Sequence, residues 1–390
     1  MIWMLPIAAA FVAAGVTAGT NWLALISWRR RRTAHWAEQA RALHPIRVGA
    51  RTALFAVPVN LALAVLLLAP ETSVAWIFAT AAIAFVGALA GTIPFDRKVL
   101  PRISVRALIR QAVIGRLVGS AFWFALFGAA MVMPLVFDWR ALAVGAAFLG
   151  FLWFWQIAGW IVVGRLAGWL TLPSPRLLQI VAVTSARTGV AAKEVWVMRV
   201  DIAQALALPL AGKLVFTERL LAIMSDDEIA AVCAHELGHL SESRGIRLVR
   251  ALRALVFLPW VFVGPLFHEF GTGGIAFAVL LSLGTRLGFG AVSRRLEARA
   301  DRVAKSHESV SGIYAQALLR LYQDNLLPAV STTRGATHPH LYDRLLAAGC
   351  TPDFPRPDPP ATFSWNGLLF SVLLVLQALL VIMSQVDNRF

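Results

Sequence analysis

Apolar residues run along this chain in blocks of about twenty, separated by short stretches rich in arginine. A bilayer core takes roughly 20 helical residues to cross, so each block predicts a membrane-spanning helix. The blocks run from about Ile2 to Ser27, Ala53 to Ala69, Val74 to Phe95, Leu117 to Phe137 and Ala141 to Val163. Two more, Ala251 to Phe267 and Gly274 to Ala291, lie close enough to form a hairpin, with Pro259 and Pro265 interrupting the first arm. The last runs from Trp365 to Met383. The pattern therefore predicts a mainly α, polytopic helical membrane protein of about eight spans.

Two polar segments break the series. From Arg165 to Arg250 the pattern suggests a small α+β unit. Pro173 to Thr188 has helical periodicity, Glu194 to Val200 is β-rich, and Lys213 to Thr217 reads as a second strand. Ser225-Asp226-Asp227-Glu228 has the form of a capping box and opens a further helix. From Ser293 to Thr362 the chain is helical at first and then proline-rich, with Pro352 to Pro360 reading as an extended linker. The expected organisation is a membrane domain of five spans (1–163) and a first soluble part (164–250). A hairpin (251–291), a second soluble part (292–362) and a final span with its tail (363–390) follow.

Composition agrees with the membrane reading. Hydrophobic residues make up 58%, charged residues only 15%, and mean hydropathy is +0.70. The net charge of +15 suggests nucleic acid in a soluble protein. Here the arginines crowd beside apolar blocks with no aromatic-basic binding motif, so the positive-inside rule accounts for them and no nucleic-acid partner is expected. Arg29, Arg30, Arg31, Arg32, Arg41, Arg47 and Arg51 precede the second span. Arg97, Lys98, Arg102, Arg106, Arg110 and Arg116 precede the fourth. Both loops are therefore expected to be cytoplasmic, which puts the two polar segments on that side and the N-terminus outside. The first block is followed, not preceded, by arginines, so it reads as a span and not as a cleaved signal peptide. Cys233 and Cys350, the two cysteines, suggest no disulfide framework.

Chemistry enters with His235-Glu236-Leu237-Gly238-His239 on the helix that starts at Ser225. Residues four apart share a helix face, so both imidazoles can reach one ion, and Glu236 can take a proton from water activated there. Random matches to this spacing are expected about 0.01 times in such a chain. The flanking Ile229, Ala230, Ala231, Val232, Cys233 and Ala234 predict a buried helix, and buried histidines need partners. A catalytic zinc takes three protein ligands and keeps one position open. Beyond the hairpin stands Glu297-Ala298-Arg299-Ala300-Asp301, again with two acids four apart. Glu297 suits a third ligand and Asp301 a partner behind a ligand histidine. On the residues alone, a charged helix with Arg294, Arg295, Arg299 and Arg302 pairing its acids explains that segment better.

The zinc-helix motif, the hairpin, and Glu297-Ala298-Arg299-Ala300-Asp301 with Ala304 following together resemble the HtpX-like and CAAX prenyl protease type I family of integral-membrane zinc metalloproteases. Thr337-His338-Pro339, with Arg344 and Leu345 after it, resembles a further family element beside the active site. The likeness spans roughly Glu194 to Leu345. It implies a gluzincin-type catalytic domain, one zinc ion per chain on His235, His239 and Glu297, and Glu236 as general base. Asp301, His338 and Arg344 are then expected to support ligands or to touch substrate, with His338 as the rival third ligand. The strand Leu214 to Thr217 resembles the family strand before the zinc helix and is expected to pair with an extended substrate at a sheet edge. Gln204-Ala205 stands where many relatives have Asn-Ala, and His340 stands where a second proline is expected. Five spans before the zinc helix are closer to the CAAX-protease layout.

The expected protein is thus a zinc metalloendopeptidase of the cell (inner) membrane, multi-pass, with its active site on the cytoplasmic side. Its partners are the lipid bilayer and a peptide or membrane-protein substrate. Short chains from His239 to the sixth block and from the seventh block to Glu297 place the metal near the membrane surface, with both ligand helices running on from the hairpin. The alternatives are a signalling receptor metalloprotease that cleaves a cytoplasmic repressor, and a transporter or scaffold with a structural metal.

Overall fold

The computed structural model describes residues 4–30, 34–69, 71–111, 115, 117–331, 340–362 and 364–387. The chain divides into two compact units. The first holds 1–117, 326–332 and 356–390, and the second holds 118–325 and 333–355.

The first unit is helical. It contains α1 (Leu5–Arg29), α2 (Trp36–Leu68), α3 (Val74–Val99), the short α4 (Val105–Gln111) and α17 (Trp365–Asp387). Helices α1, α2 and α3 pack against one another, and α17 lies along α2. Arg41, Arg47 and Arg51, expected in a loop, belong to α2, which continues well before its apolar stretch. The crossing of α1 and α3 is set by small residues. A Cβ on Gly87 would fall 2.0 Å from the Ala10 carbonyl oxygen, and one on Gly91 would fall 2.5 Å from that of Ala14. Glycines four apart on α3 thus admit the backbone of α1 directly, a close approach typical of helices packed in lipid.

The second unit begins with α5 (Leu117–Val132) and α6 (Trp139–Phe154), which runs through one π turn at Trp155–Gly159 into α7 (Trp160–Leu166). A four-stranded sheet follows, built from β1 (Leu170–Thr171), β2 (Glu194–Met198), β3 (Ala205–Leu208) and β4 (Lys213–Thr217), in the order β1-β2-β4-β3. Strand β2 is parallel to β4, while β1 and β3 run antiparallel to their neighbours. The expected strand at Lys213 to Thr217 forms, but it is an inner strand. The edge belongs to β3, so the expectation that Leu214 to Thr217 offers a free edge is corrected. Its five residues are mostly buried, as expected of a strand with a layer on each face.

Both faces of the sheet are covered, as its alternation requires. Leu214 and Phe216 point to a core shared with α8 (Pro175–Thr188), α10 (Asp226–Leu240) and Ala317 of α15 (Ile313–Asn325). Val215 and Trp196 point the other way, onto Ile161 of α7 and Leu170. Strand β4 passes into α9 (Glu218–Ile223), capped by the Thr217 hydroxyl. Helix α10 opens with the expected capping box: the Ser225 hydroxyl accepts from the Glu228 N–H at 3.3 Å, and the Ser225 N–H donates to the Glu228 carboxylate at 2.8 Å. Such a cap contributes about 1 kcal/mol.

Beyond α10 come α11 (Arg244–Leu252), a 3-10 turn (Arg253–Phe257), α12 (Leu258–Val261), α13 (Val263–Phe270) and the long α14 (Thr272–Ser306). The sixth apolar block is therefore not one helix. Pro259 and Pro265 fall in the first turns of α12 and α13, where a missing N–H costs nothing and a preceding helix cannot continue. The seventh block is continuous with the helix that carries Glu297 and Asp301. By contrast α10 stops at Leu240, so only one of the two ligand helices runs on from the hairpin. The second unit closes with α15 and α16 (Leu341–Ala347). The proline-rich stretch Pro352 to Pro360 has no regular structure.

Against the eight expected spans, five helices among the described residues are long and apolar enough to cross a membrane: Leu5–Arg29, Trp36–Leu68, Ala75–Val99, Trp139–Leu166 and Thr272–Ser306. Two shorter apolar helices, Ala121–Ala130 and Gly367–Gln377, lie in the fourth and eighth blocks. The close crossing of α1 and α3 generates a test. Gly91→Leu should lower stability by about 1–3 kcal/mol through overpacking. Gly15→Leu, which meets nothing within 4 Å, should be tolerated. Thermal unfolding of both variants in one detergent measures the difference, and equal midpoints would refute the close crossing.

Candidate metal centre

Helix α10 has two working faces. Ile229, Val232, Cys233 and Leu237 enter the sheet core. His235, Glu236 and His239 emerge on another side, and each is less than a tenth exposed. Burial of the Cys233 thiol pushes its pKa up to about 12, which keeps it protonated.

Helix α14 crosses α10 at Gly238. A Cβ there would stand 3.0 Å from Ala300 Cα and 3.3 Å from Ala300 Cβ. This close approach carries Glu297, one turn before Ala300, to the two histidines. His235 Nε2 lies 3.6 Å from Glu297 Oε2, and His239 Nε2 lies 3.5 Å from Glu297 Oε1. The ligand atoms of His235, His239 and Glu297 all fall within 4.8 Å of one another. Arg299 ties the crossing down by donating to the Ser241 carbonyl at 3.1 Å and hydroxyl at 3.0 Å, beyond the last turn of α10.

The other ring nitrogens are held from behind. His235 Nδ1 sits 3.1 Å from Asp301 Oδ1 and 2.9 Å from the Tyr314 hydroxyl. Tyr314 donates to Asp301 at 2.6 Å, and Arg344 donates to Asp301 at 2.9 and 2.7 Å and to the Tyr314 oxygen at 2.9 Å. His239 Nδ1 lies 3.2 Å from Glu242 Oε1, and Arg250 donates to that carboxylate at 2.6 and 2.5 Å. Acceptors at both Nδ1 atoms fix the N–H there and turn each Nε2 lone pair toward Glu297.

That donor set fits a zinc-sized cation. Two ligands about 2.0–2.1 Å from one tetrahedral ion stand about 3.3 Å apart. The gaps of 3.5 and 3.6 Å are close to that spacing and longer than a good N–H···O bond. Burial drives the His235 imidazole toward its neutral form. Its hydrogen bond to Asp301, with the nearby Glu297 and Glu236 carboxylates, outweighs burial and raises its pKa to about 9. A cation in the gap takes the same lone pair as that proton and satisfies the same carboxylate, so it would displace the proton. Arg344 is buried among Asp301, Tyr314 and Tyr322, and despite the cost of burial those partners hold it charged, well above the usual guanidinium range.

Glu236, close enough to His235 to act on its charge, is held by the sheet. The Ala207 N–H of edge strand β3 donates to its Oε2 at 2.7 Å. Thr217 N–H donates to the Gln204 carbonyl, so Gln204 faces β4. Alternation then turns the backbone groups of Ala205 and Ala207 to the open side of the sheet.

The structure thus gathers His235, Glu236, His239 and Glu297, with Asp301 and Arg344 behind His235. His338 lies outside the described residues. Sequence reasoning missed Tyr314, Glu242 and Arg250. Glu242 had a usable signal, an acid one turn past the second histidine. Tyr314 had none, because it reaches His235 only through the packing of α15 on α10.

A buried helix offering two imidazoles and a neighbouring carboxylate, closed by an acid from a second helix, defines the class of metal-dependent hydrolases that carry this pair. Residues 172–349 match the family model described as Peptidase family M48. No curated protein matches the chain. The match covers β2 to β4, α10, α14 and α16, supporting an M48 metalloprotease domain in that part of the chain.

Metal content checks the ligand set. Glu297→Ala should lose zinc as completely as His235→Ala or His239→Ala, while His338→Ala retains it. Asp301→Asn and Tyr314→Phe should weaken zinc affinity about ten- to a hundredfold, since each loosens His235 without removing a donor. Full zinc in Glu297→Ala with loss in His338→Ala would reverse the assignment.

Proposed function

We propose that this chain is a membrane-embedded zinc metalloendopeptidase that hydrolyses peptide bonds of membrane proteins or membrane-associated peptides. The observation that carries the reading is the buried trio His235, His239 and Glu297, with both Nδ1 atoms anchored and Glu236 beside an edge strand. A zinc ion bound there supplies Lewis acidity, polarising the scissile carbonyl and acidifying water.

The protein's own groups do the rest. Asp301 and Tyr314 hold His235 in one tautomer, and Glu242 does the same for His239. Glu236 is the general base: its carboxylate removes the proton from the attacking water and later delivers it to the leaving amine. An extended substrate lies along the open side of β3, pairing with the backbone of Ala205, while Ala207 keeps Glu236 oriented. Burial of the carboxylate and imidazoles excludes bulk water and strengthens these interactions.

Membrane location rests on the five long apolar helices and on the arginines beside them. By that charge rule the protein sits in the cell (inner) membrane with the metal site on the cytoplasmic side. The first apolar residues of α14 and the ligand Glu297 share one helix, so substrates held at the bilayer surface are favoured. The five apolar blocks ahead of the zinc helix favour the CAAX-protease layout.

Glu236→Gln should retain zinc and fold while hydrolysis of casein or a membrane substrate falls by at least about a hundredfold, as expected for loss of a general base. Cleavage at the original rate would remove Glu236 from that role.

A further inference from the structure

Helix α11 is the least explained part of the second unit. Its nine residues, Arg244 to Leu252, include none that is buried. At about 100° per residue, Leu248, Leu252, Val249 and Ile246 fill one side, and Arg250, Arg247 and Arg244 fill the other. Leu248 is 59% exposed and Leu252 39% exposed. Among the described residues no carboxylate pairs with Arg244 or Arg247, whereas Arg250 turns inward to Glu242. A nine-residue helix is about 13–14 Å long, far short of a bilayer, and three arginines bar it from the hydrocarbon core. It leads directly into the apolar segment that begins at Ala251. A short helix with one apolar and one cationic side, at the entrance to a membrane segment, has the properties of an interfacial helix.

We propose that α11 lies in the plane of an anionic bilayer surface and that this seating steadies the metal centre. Leu248, Val249 and Leu252 enter the boundary of the acyl chains, and Arg244 and Arg247 meet anionic headgroups. Seating α11 holds Arg250, and Arg250 holds Glu242, whose oxygen lies 3.2 Å from His239 Nδ1. Negative lipid at the surface thereby restrains a ligand of the metal site. The inference rests on the membrane reading above and adds to it a lipid-dependent support of His239.

The test uses the full chain reconstituted in vesicles of phosphatidylcholine alone, or mixed about two to one with phosphatidylglycerol. An environment-sensitive fluorophore is attached at Leu248→Cys or Arg247→Cys in a Cys350→Ser background, Cys233 being buried. In mixed vesicles the Leu248 probe should shift to the blue and be quenched by nitroxide lipids, while the Arg247 probe remains open to iodide. The double variant Arg244→Glu/Arg247→Glu should abolish the effect of phosphatidylglycerol. Zinc affinity, measured by competition with a chelating dye, should be up to about tenfold tighter in mixed vesicles. That difference should vanish in Leu248→Ser/Leu252→Ser. A Leu248 probe quenched by iodide and untouched by nitroxide lipid overturns the seating of α11. Zinc affinity indifferent to phosphatidylglycerol overturns its link to His239. Neither readout uses hydrolysis, so failure of the peptidase assignment shows itself separately, as an unaltered substrate.

Discussion

The candidate metal centre depends on how closely α14 can lie against α10. Two histidines on one helix cannot close a site by themselves. The third donor must come from elsewhere, with its carboxylate within a few ångströms of both Nε2 atoms. Gly238, between Leu237 and His239, has no side chain to hold α14 off, and Ala300 opposite it is the smallest residue that still favours a helix. Any larger pair would separate the helix axes and carry Glu297 out of reach. Arg299 and Ser241 pin the same crossing from the end of α10. The charges of the site are then tolerable only because they are paired. Unsupported, each buried ionised group would cost several kcal/mol.

Behind the donors, the two histidines are supported unequally. His235 is backed by Asp301, Tyr314 and Arg344, drawn from α14, α15 and α16, so three helices must pack correctly before that ring is fixed. His239 is backed by Glu242 and Arg250, which lie next in the chain. One histidine is thus held by the core of the unit and the other by a local, exposed segment.

Much of the site was legible in the sequence because it is written at helical spacing. His235 and His239 four apart, Glu297 and Asp301 four apart, and the Ser225 to Glu228 cap are all local patterns, and local geometry places them whatever the rest of the chain does. Apolar blocks likewise marked the long helices, since the length needed to cross a bilayer is a property of the segment alone. The two strands at Glu194 and Lys213 were visible as β-rich runs. Short β1 and β3 were not, because two to four residues carry too little pattern to separate a strand from a turn.

Tertiary structure decided the remainder. Sequence order cannot say that β4, though it follows β3, is enclosed while β3 keeps the edge. That outcome follows from β2 pairing in parallel with β4, and such pairing costs little in a strand whose residues are buried on both faces. Nor could sequence show that the sixth apolar block breaks into short helices while the seventh stays whole. Pro259 and Pro265 removed the continuity of one, and Ala300 against Gly238 gave the other a partner. Tyr314 joins the site through a contact spanning 79 residues of chain, a distance over which no periodicity reaches. The sequence by itself determined which residues share a helix face and therefore which chemistry the chain can perform. Only the packing of separate helices decided which face meets which, because that depends on side-chain volume at the crossings and not on spacing.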